Sequence, residues 1–332
     1  MKKLLTFTLI AAAAFAAEGY KVLTKYKIGG TGGWDYVAVD QVNRRIYASH
    51  QTTVEVLDAD SGKVLGQIAQ LHGVHGIAVA PDLNKGFITN GQSASATVFD
   101  LKTMAKVGEP ATGQNPDAVC YEPKTQRVFT FNGNSKDATA INAKTNEIAG
   151  TVKLNGRPEF CVVDGAGKLY NNLEDTSEIV EIDAAKLEVT RRSSLAPCDS
   201  PSGLAIDVKN KKLFSVCSNK LMAVTDIATM KVIATPAIGN GPDAAGFDPG
   251  TGLAFSSNGD GTLTIVKLVN GKYEAVDTVT TVARARTMAV DEKLHRVYLL
   301  AAEFGPAPDT KDGKKGRPPV LPDSFHVLVV GK

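Results

Sequence analysis

The stretch GIAVAPDLNKGFITN, at residues 76–90, contains the basic unit of this chain. It has a short apolar run, a polar turn around Asp82, and a second apolar run that carries the aromatic residue Phe87. Such runs are too short for helices and indicate strands, the first of them buried on both faces. The same order of features recurs along the chain, so the repeat, rather than any single motif, decides the fold.

Three markers recur at intervals of 40–44 residues. The first is a mostly acidic position that follows the first strand: Asp40, Ala80, Glu122, Asp164, Asp207, Asp248 and Asp291. The second is an aromatic residue six or seven positions later: Tyr47, Phe87, Phe129, Tyr170, Phe214, Phe255 and Tyr298. The third closes a hairpin after the third strand: Asp58, Asp100, Asn142, Asp183, Asp226 and Lys267. A period near 42 built from short strands predicts an all-β fold, a seven-bladed β-propeller with four antiparallel strands per blade.

The two ends of the repeat region predict how the ring closes. The last repeat, which begins at Arg286, lacks a fourth strand, and the strand-like segment 20–28 has no blade of its own. If this N-terminal strand completes the last blade, no sheet edge stays open. Residues 20–332 are therefore expected to form a single propeller, with a Pro-, Gly- and Lys-rich insertion at about 303–323.

The first 16 residues have the pattern of a secretory signal peptide. Lys2 and Lys3 precede an apolar run, and Ala14-Phe15-Ala16 resembles a cleavage site, which places cleavage near residues 16–19. The apolar run is too short to span a membrane. Loss of the two lysines takes the formal net charge from +2 to about zero, which gives no signal for nucleic-acid binding. The mature protein is expected in a bacterial periplasm or outside the cell.

The four cysteines fall into two pairs. Cys120 and Cys161 lie within the first strands of neighbouring repeats and are expected to be small core residues. Cys198 and Cys217 come before the first strand and at the end of the second strand of repeat five, so both should lie at one face. For this second pair, a disulfide and two free, partly buried thiols both fit the sequence.

Strand directions predict that one face carries the function. The start of each inner strand and the loop between the second and third strands should meet at one mouth of the central channel. The strand starts carry Asp35, His75, Asp117, Glu159, Ser202, Asp243 and Arg286. The loops carry His50, Asn90, Asn132, Glu174, Asn219, Asn258 and Glu303. These groups either cap strands and hold channel waters or bind a small polar ligand or a protein partner.

Two further features belong to the same mouth. His50, His72 and His75 fall in adjacent loops beside Asp35, and imidazole with carboxylate suits zinc or another divalent ion. Asp35, His50 and His75 are therefore candidate metal ligands. Trp34, the only tryptophan, either stacks on a ring of a ligand or packs against the protein. The chain has no Cys-x-x-Cys-His motif, so a covalently attached c-type haem is excluded.

The repeats resemble those of the YVTN-repeat, YncE-like family of exported bacterial seven-bladed propellers. The resemblance rests on Gly76–Asp82 with Gly86–Thr89, on the closing segment Val98–Thr103, and on tetrads such as Ile46-Tyr47-Ala48-Ser49. It covers the whole mature chain and implies the fold and export, but no common reaction. Our favoured prediction is therefore a non-enzymatic periplasmic binding or scaffold propeller.

Related propellers supply the alternative prediction, a metal-dependent hydrolase of lactonase type. Such lactonases are similar in fold and place a metal ion at the channel mouth with Glu, Asn and Asp ligands. This chain has residues of those types in Glu159, Asn132 and Asp243. The ligand set would then be either these three residues or Asp35, His50 and His75.

Overall fold

The computed structural model of the chain describes residues 19–309, 316 and 318–332. The predicted signal peptide and part of the predicted insertion lie outside these residues. Within them, no helix has the length and apolar character needed to cross a membrane. The one helical element described is a 3₁₀ turn at Pro81–Leu83.

The rest of the regular structure consists of 28 strands in seven four-stranded antiparallel sheets. The first strand, β1 (Lys21–Lys27), belongs to the last blade. Blade one consists of β2 (Trp34–Asp40), β3 (Arg45–His50), β4 (Thr53–Asp58) and β5 (Val64–Ile68). Blade two consists of β6 (Val74–Ala80), β7 (Lys85–Asn90), β8 (Ser95–Asp100) and β9 (Lys106–Gly108). Blade three consists of β10 (Pro116–Glu122), β11 (Arg127–Asn132), β12 (Asp137–Asn142) and β13 (Ile148–Lys153).

The remaining blades follow the same plan. Blade four consists of β14 (Pro158–Val163), β15 (Lys168–Leu173), β16 (Glu178–Asp183) and β17 (Glu188–Ser194). Blade five consists of β18 (Pro201–Asp207), β19 (Lys212–Cys217), β20 (Leu221–Asp226) and β21 (Lys231–Ala234). Blade six consists of β22 (Pro242–Asp248), β23 (Leu253–Asn258), β24 (Thr262–Val269) and β25 (Lys272–Thr280). Blade seven consists of β26 (Met288–Asp291), β27 (Arg296–Ala301), β28 (His326–Gly331) and β1. The inner strands contact one another around the ring, which confirms the predicted seven-bladed propeller.

Blade seven is closed by the N-terminal strand, as the sequence predicts. Strand β1 pairs antiparallel with β28, with Lys21 opposite Gly331 and Lys27 opposite His326. A second contact joins the first blade to the last. Arg44 of blade one forms a two-pronged ion pair with the buried Asp291 of blade seven. The ring is thus closed by a sheet and by a buried charge pair.

The acidic marker residue closes the turn between the first two strands of its blade, and in blade three it also hydrogen-bonds the next blade. The Asp40 carboxylate accepts the N–H groups of Val42 and Asn43, both at 2.9 Å, and so closes the turn between the first two strands. Glu122 closes its own turn and accepts the N–H of Gly167 in blade four at 3.1 Å. The acid recurs in six of the seven blades because it satisfies backbone groups that a buried turn would otherwise leave without partners; blade two has Ala80 at this position.

The aromatic marker fills the space between blades. All seven aromatic side chains are at most 2% exposed. Tyr47 of blade one, for example, lies in a cluster with Ile77 and Phe99 of blade two, and the centroids of its ring and the Phe99 ring are 5.6 Å apart. The core is therefore a series of interfaces between neighbouring sheets, which requires one large residue per blade at this position.

All four cysteines are in disulfides. The pair Cys198–Cys217 joins the entry loop of blade five to the end of its second strand, with Cα atoms 5.5 Å apart. Cys120 of β10 and Cys161 of β14 are also bonded, with Cα atoms 6.3 Å apart, so the prediction that they are only core residues was wrong. They lie one period apart in the sequence, which places them on adjacent inner strands that approach within bonding distance.

Candidate functional site

The starts of the inner strands form a polar cavity at the channel mouth. This mouth cavity has a volume of about 310 Å³. Its polar lining includes seven of the predicted residues: Asp35, Asp117, Glu159, Glu174, Ser202, Asp243 and Arg286. Five half-buried carboxyl groups from four blades thus face one small space.

An irregularity at the start of each of the first six inner strands positions these side chains. In blade one the pairing between β2 and β3 shifts between Trp34 and Val37, and an equivalent shift occurs in blades two to six. Such a bulge re-aims side chains and leaves backbone groups unpaired. The second strand supplies the partners: Ser49 Oγ accepts the Asp35 N–H at 2.9 Å, and the Asn171 amide donates to the Glu159 carbonyl at 2.8 Å.

Three residues of the mouth form a cluster with the composition of a metal site. One ligand atom from each of Asp35, His75 and Asp117 lies within 4.8 Å of the other two. His75 Nδ1 is 2.7 Å from Asp35 Oδ2 and 3.8 Å from Asp117 Oδ1. Asp117 Oδ1 is shielded from solvent and has no hydrogen-bond partner among the described residues. The cluster lies where the mouth cavity adjoins a second cavity that His75 lines.

His50, the third predicted metal ligand, is not in this cluster. Its Nδ1 lies 3.8 Å from Glu55 Oε1, and its ring contacts the Phe325 ring with centroids 4.5 Å apart. The imidazole therefore contacts blade seven instead of Asp35. His72 is exposed. The third member of the cluster is Asp117 of blade three and not His50, which the sequence analysis had predicted.

Burial and mutual repulsion change the acidity of the mouth. Burial first, then the charges of Asp117 and Glu174, raise the pKa of Glu159 to about 8, against the opposing effect of Arg157. Burial and the charge of Asp35 raise the pKa of Asp117 to about 6. Burial likewise raises the pKa of Asp243 to about 6, although Arg286 opposes it. The arginines do not fully offset the acidic charge, so the cavity favours a cation.

His75 responds to the same surroundings in the opposite sense. Burial alone would lower the pKa of its imidazole, but the hydrogen bond with Asp35 and the charge of Asp117 outweigh burial and raise the pKa. His75 Nδ1, which lies 2.7 Å from Asp35 Oδ2, therefore faces the place that a cation shared by the three side chains would occupy.

The predicted loop residues divide into two groups. Glu174 joins the mouth, where its Oε2 lies 2.9 Å from Arg157 Nη1. The other predicted loop residues face elsewhere: His50, Asn90, Asn132, Asn219, Asn258 and Glu303. Asn132 is typical of the three buried asparagines, since its amide donates to Asp137 and Thr139 within its own hairpin. It does not line the mouth cavity, so it does not meet Glu159 and Asp243 there.

The other two loop positions have identifiable roles as well. Asn219 donates to the Pro197 carbonyl at 2.7 Å and accepts the N–H of Asp199, which fixes the loop closed by the Cys198–Cys217 bond. Glu303 lines a separate cavity with Lys25 and Lys27. Asn90 and Asn258 hydrogen-bond hydroxyl groups of their own hairpins, as Asn132 does.

Six residues that line the mouth cavity were not among the predicted ones: Tyr36, Arg157, Phe160, Ser200, Ser218 and Pro242. The rings of Tyr36 and Phe160 stack with centroids 4.7 Å apart, and Arg157 pairs with Glu174. Tyr36 directly follows Asp35, and Phe160 directly follows Glu159. A search of the positions next to the predicted carboxylates would have found these two.

Trp34 packs against the protein on one side. Its ring lies 5.3 Å from the Phe325 ring, nearly parallel to it, and 6.0 Å from the Phe304 ring, measured between centroids. The packing interpretation therefore holds for this side of the indole, while the residue also lines cavities beside the mouth.

Comparison with known proteins gives a fold relationship. No family model matches the chain, and no curated protein matches it. Among solved structures, hydrazine synthase of Kuenenia stuttgartiensis is similar, with a TM-score of 0.69 and 17% sequence identity over 82% of this chain and 93% of that chain. At this identity the similarity shows a shared propeller fold, and propellers carry many different activities.

Proposed function

We propose that this chain is an exported propeller of the YncE-like type that binds a small polar ligand through a divalent metal ion held by Asp35, His75 and Asp117. The observation that carries the proposal is the convergence of the three ligand atoms from three blades within 4.8 Å. The unpartnered, solvent-shielded Asp117 Oδ1 supports it, because a buried carboxylate oxygen without a donor is costly.

The spacing of the cluster suits one metal ion. Bonds of about 2.1 Å to a shared ion place neighbouring ligand atoms roughly 3 Å apart. The distances of 2.7 and 3.8 Å around His75 Nδ1 bracket that value. One imidazole and two carboxylates favour zinc or a related transition metal over calcium, which prefers oxygen ligands only.

The other mouth residues would then hold the ligand. Ser202 offers a hydroxyl, and Arg157 and Arg286 offer guanidinium groups in the same cavity. A small polar molecule could complete the coordination of the ion and donate to or accept from these groups. Both disulfides support export, since such bonds persist in oxidising compartments. A protein partner that inserts a polar side chain would use the same groups.

Metal binding by purified protein tests the proposal. Chelator-treated protein should bind one equivalent of Zn²⁺ in a calorimetric titration and bind Ca²⁺ much more weakly. Asp117→Asn and His75→Ala should each weaken Zn²⁺ binding by at least about 10-fold. Glu109→Gln, at an exposed carboxylate outside the mouth, is the matched control. Binding that is sub-stoichiometric, or equal in all four proteins, would refute the site.

A hydrolase of lactonase type is the second candidate, and Glu159 is the observation that favours it. A carboxyl with a pKa of about 8 is protonated at neutral pH and is suited to general acid–base catalysis. A divalent ion supplies Lewis-acid activation of a carbonyl or of water. Zn²⁺-loaded protein should then hydrolyse members of a lactone panel, and Glu159→Gln should abolish turnover while Zn²⁺ binding persists. A lack of turnover across the panel favours the binding protein.

A further inference from the structure

A separate cavity of about 620 Å³ opens beside the mouth. It differs from the mouth cavity in its chemistry, because none of the described residues that line it is a carboxylate. Its walls are the aromatic rings of Trp34 and Phe304 and the apolar segment 318–320, and its polar side chains are those of Arg284 and Arg286. We call it the arginine–aromatic cavity.

The apolar walls are held in place by contacts outside the cavity. Phe304 and Val320 face each other across a β-bridge, and the Gly305 N–H donates to the Pro319 carbonyl at 2.9 Å. Trp34 is fixed from behind by its stacking on Phe325. Contacts within the protein thus hold the apolar surface in place.

Arg284 lines this cavity with its side chain. Its guanidinium carbon lies 4.6 Å from the centroid of the Phe304 ring, which holds the side chain flat against the wall. Its Nη1 is shielded from solvent and has no hydrogen-bond partner among the described residues. A shielded guanidinium nitrogen without an acceptor is costly, and a small rotation of the side chain that brings it to an anionic oxygen in the cavity would remove that cost.

Arg286 provides a second positive charge. Its side chain is 54% exposed, and its closest carboxylate, Asp243, is 3.4 Å away on the mouth side. It lines both the arginine–aromatic cavity and the mouth cavity. Two arginine side chains therefore line a largely apolar space, with no acid among the described residues that line it.

We propose that the arginine–aromatic cavity binds an amphipathic carboxylic acid. The carboxylate would accept hydrogen bonds from Arg284 and Arg286, whose planar guanidinium groups match its two oxygens. The hydrocarbon body would lie against Trp34, Phe304 and Pro319. This site goes beyond the proposed metal-dependent function and does not require it, since none of its groups is a proposed metal ligand.

Gly33 offers a position at which the cavity can be narrowed by substitution. A Cβ atom at this position would meet no other atom within 4 Å, and its backbone does not have the left-handed conformation that favours glycine. Gly33 lines this cavity and the neighbouring one, so a larger side chain at residue 33 would narrow the space beside Trp34 without displacing a wall. This makes Gly33→Leu a blocking variant.

The fluorescence of Trp34 provides the test, because it is the only tryptophan in the protein. Octanoate, octan-1-ol and acetate should be titrated into chelator-treated protein and into Zn²⁺-loaded protein. We expect saturable quenching or a spectral shift with octanoate, affinity at least about 10-fold weaker for octan-1-ol, and no response to acetate. Octanoate affinity should be the same with and without chelator, which separates this site from the metal site.

Variants assign the binding groups. Arg284→Gln should lower octanoate affinity to the level of octan-1-ol and leave octan-1-ol binding unchanged. Gly33→Leu should abolish the response to both, and Arg296→Gln, an arginine outside the cavity, should bind like the unaltered protein. Thermal unfolding of each variant checks folding, and Gly33→Leu decides the question if Arg284→Gln does not fold.

Three results would overturn the proposal. The first is no saturable response to octanoate. The second is equal affinity for octanoate and octan-1-ol in the unaltered protein, which would indicate an apolar pocket with no anion site. The third is unchanged octanoate affinity in Arg284→Gln or in Gly33→Leu, which would place the ligand elsewhere.

Discussion

At the scale of single residues, the channel mouth concentrates carboxyl groups that are both buried and close to one another. Glu159 is the extreme case, since its pKa of about 8 lies well above the ordinary value of 4.5. Folding therefore makes its ionisation unfavourable, and the group favours the folded state only while it is protonated. A cation bound in the mouth would reverse this effect.

This leads to a prediction about pH and stability. For Glu159 the folded pKa exceeds the unfolded value, so its contribution is full below about pH 4.5 and is lost as the pH rises through about 8. The loss is below about 5 kcal/mol. Unfolding of metal-free protein followed by urea titration at several pH values should show falling stability over this range.

Glu159→Gln is the variant that isolates the effect. In this variant the free energy of unfolding should depend less on pH between about pH 6 and 8. In Glu109→Gln, at an exposed carboxylate, the pH dependence of the free energy of unfolding should be unchanged. Parallel profiles for all three proteins would show that Glu159 ionises normally in the folded state.

The site was predictable from sequence only in part, and single residues show why. Asp35, Asp117 and Asp243 were found because each occupies the same place in the repeat and the bulge turns each one inward. Asn90 and Asn132 also recur with the repeat, yet they bond hydroxyls of their own hairpins. The period gives the position of a residue along a blade but not the direction of its side chain.

At the scale of elements, the hairpin between the third and fourth strands depends on one acceptor. Asp226 accepts the Thr229 N–H at 2.9 Å and pairs with Lys212, which lowers its pKa to about 2. In blade three the neutral Asn142 accepts the N–H groups of Lys144 and Thr145 in the same way. The turn thus needs an oxygen acceptor, and the charge is secondary.

A pair of substitutions at Asp226 tests this. Asp226→Ala loses the turn bonds and the ion pair and should lower the free energy of unfolding by about 2 kcal/mol. Asp226→Asn keeps the acceptor and loses only the partly exposed ion pair, so its cost should be below about 1 kcal/mol. Urea unfolding measures both. Equal losses of stability in the two variants would mean that the charge of Asp226, and not its hydrogen bonds in the turn, provides the stabilisation.

The disulfide between inner strands gives a second prediction at this scale. Because Cys120–Cys161 and Cys198–Cys217 are both bonded, unfolded and unreduced protein should show no reactive thiols, and reduced protein should show four. Thiol titration in denaturant measures this directly. Two reactive thiols before reduction would mean that only one of the bridges forms. The Cys120–Cys161 pair was missed in the sequence because a period does not show how closely adjacent blades approach.

At the scale of the whole molecule, the ring depends on the seam between blades one and seven. Arg44 is 12% exposed and Asp291 is fully buried, so removal of the arginine leaves a buried carboxylate without its counter-charge. Arg44→Gln should lower the free energy of unfolding by about 3 kcal/mol or more.

A matched control separates the seam from ordinary surface charge. Lys106→Gln breaks an exposed pair with Glu109 and should cost less than about 1 kcal/mol. Chemical unfolding of both variants gives the comparison. Similar small losses in the two proteins would show that the pair at the seam contributes little to closure.

The fold itself was predictable to a much larger extent than the site. Blade number follows from the count of markers, and closure follows from one blade that lacks a strand and one strand that lacks a blade. These are properties of the order of elements along the chain. The contacts between blades, such as Arg44 with Asp291, join positions 247 residues apart and leave no local pattern.

The pairing of β1 with β28 has a consequence for the order of the chain. Since Lys21 lies opposite Gly331, a few flexible residues could join these ends, and the exposed hairpin at Asn270 and Gly271 could be opened instead. In such a circular permutant blade seven would be continuous, and β25 would become the N-terminal strand that closes blade six onto β24. The seven blades would occupy the same positions, and the seam would have moved by one blade.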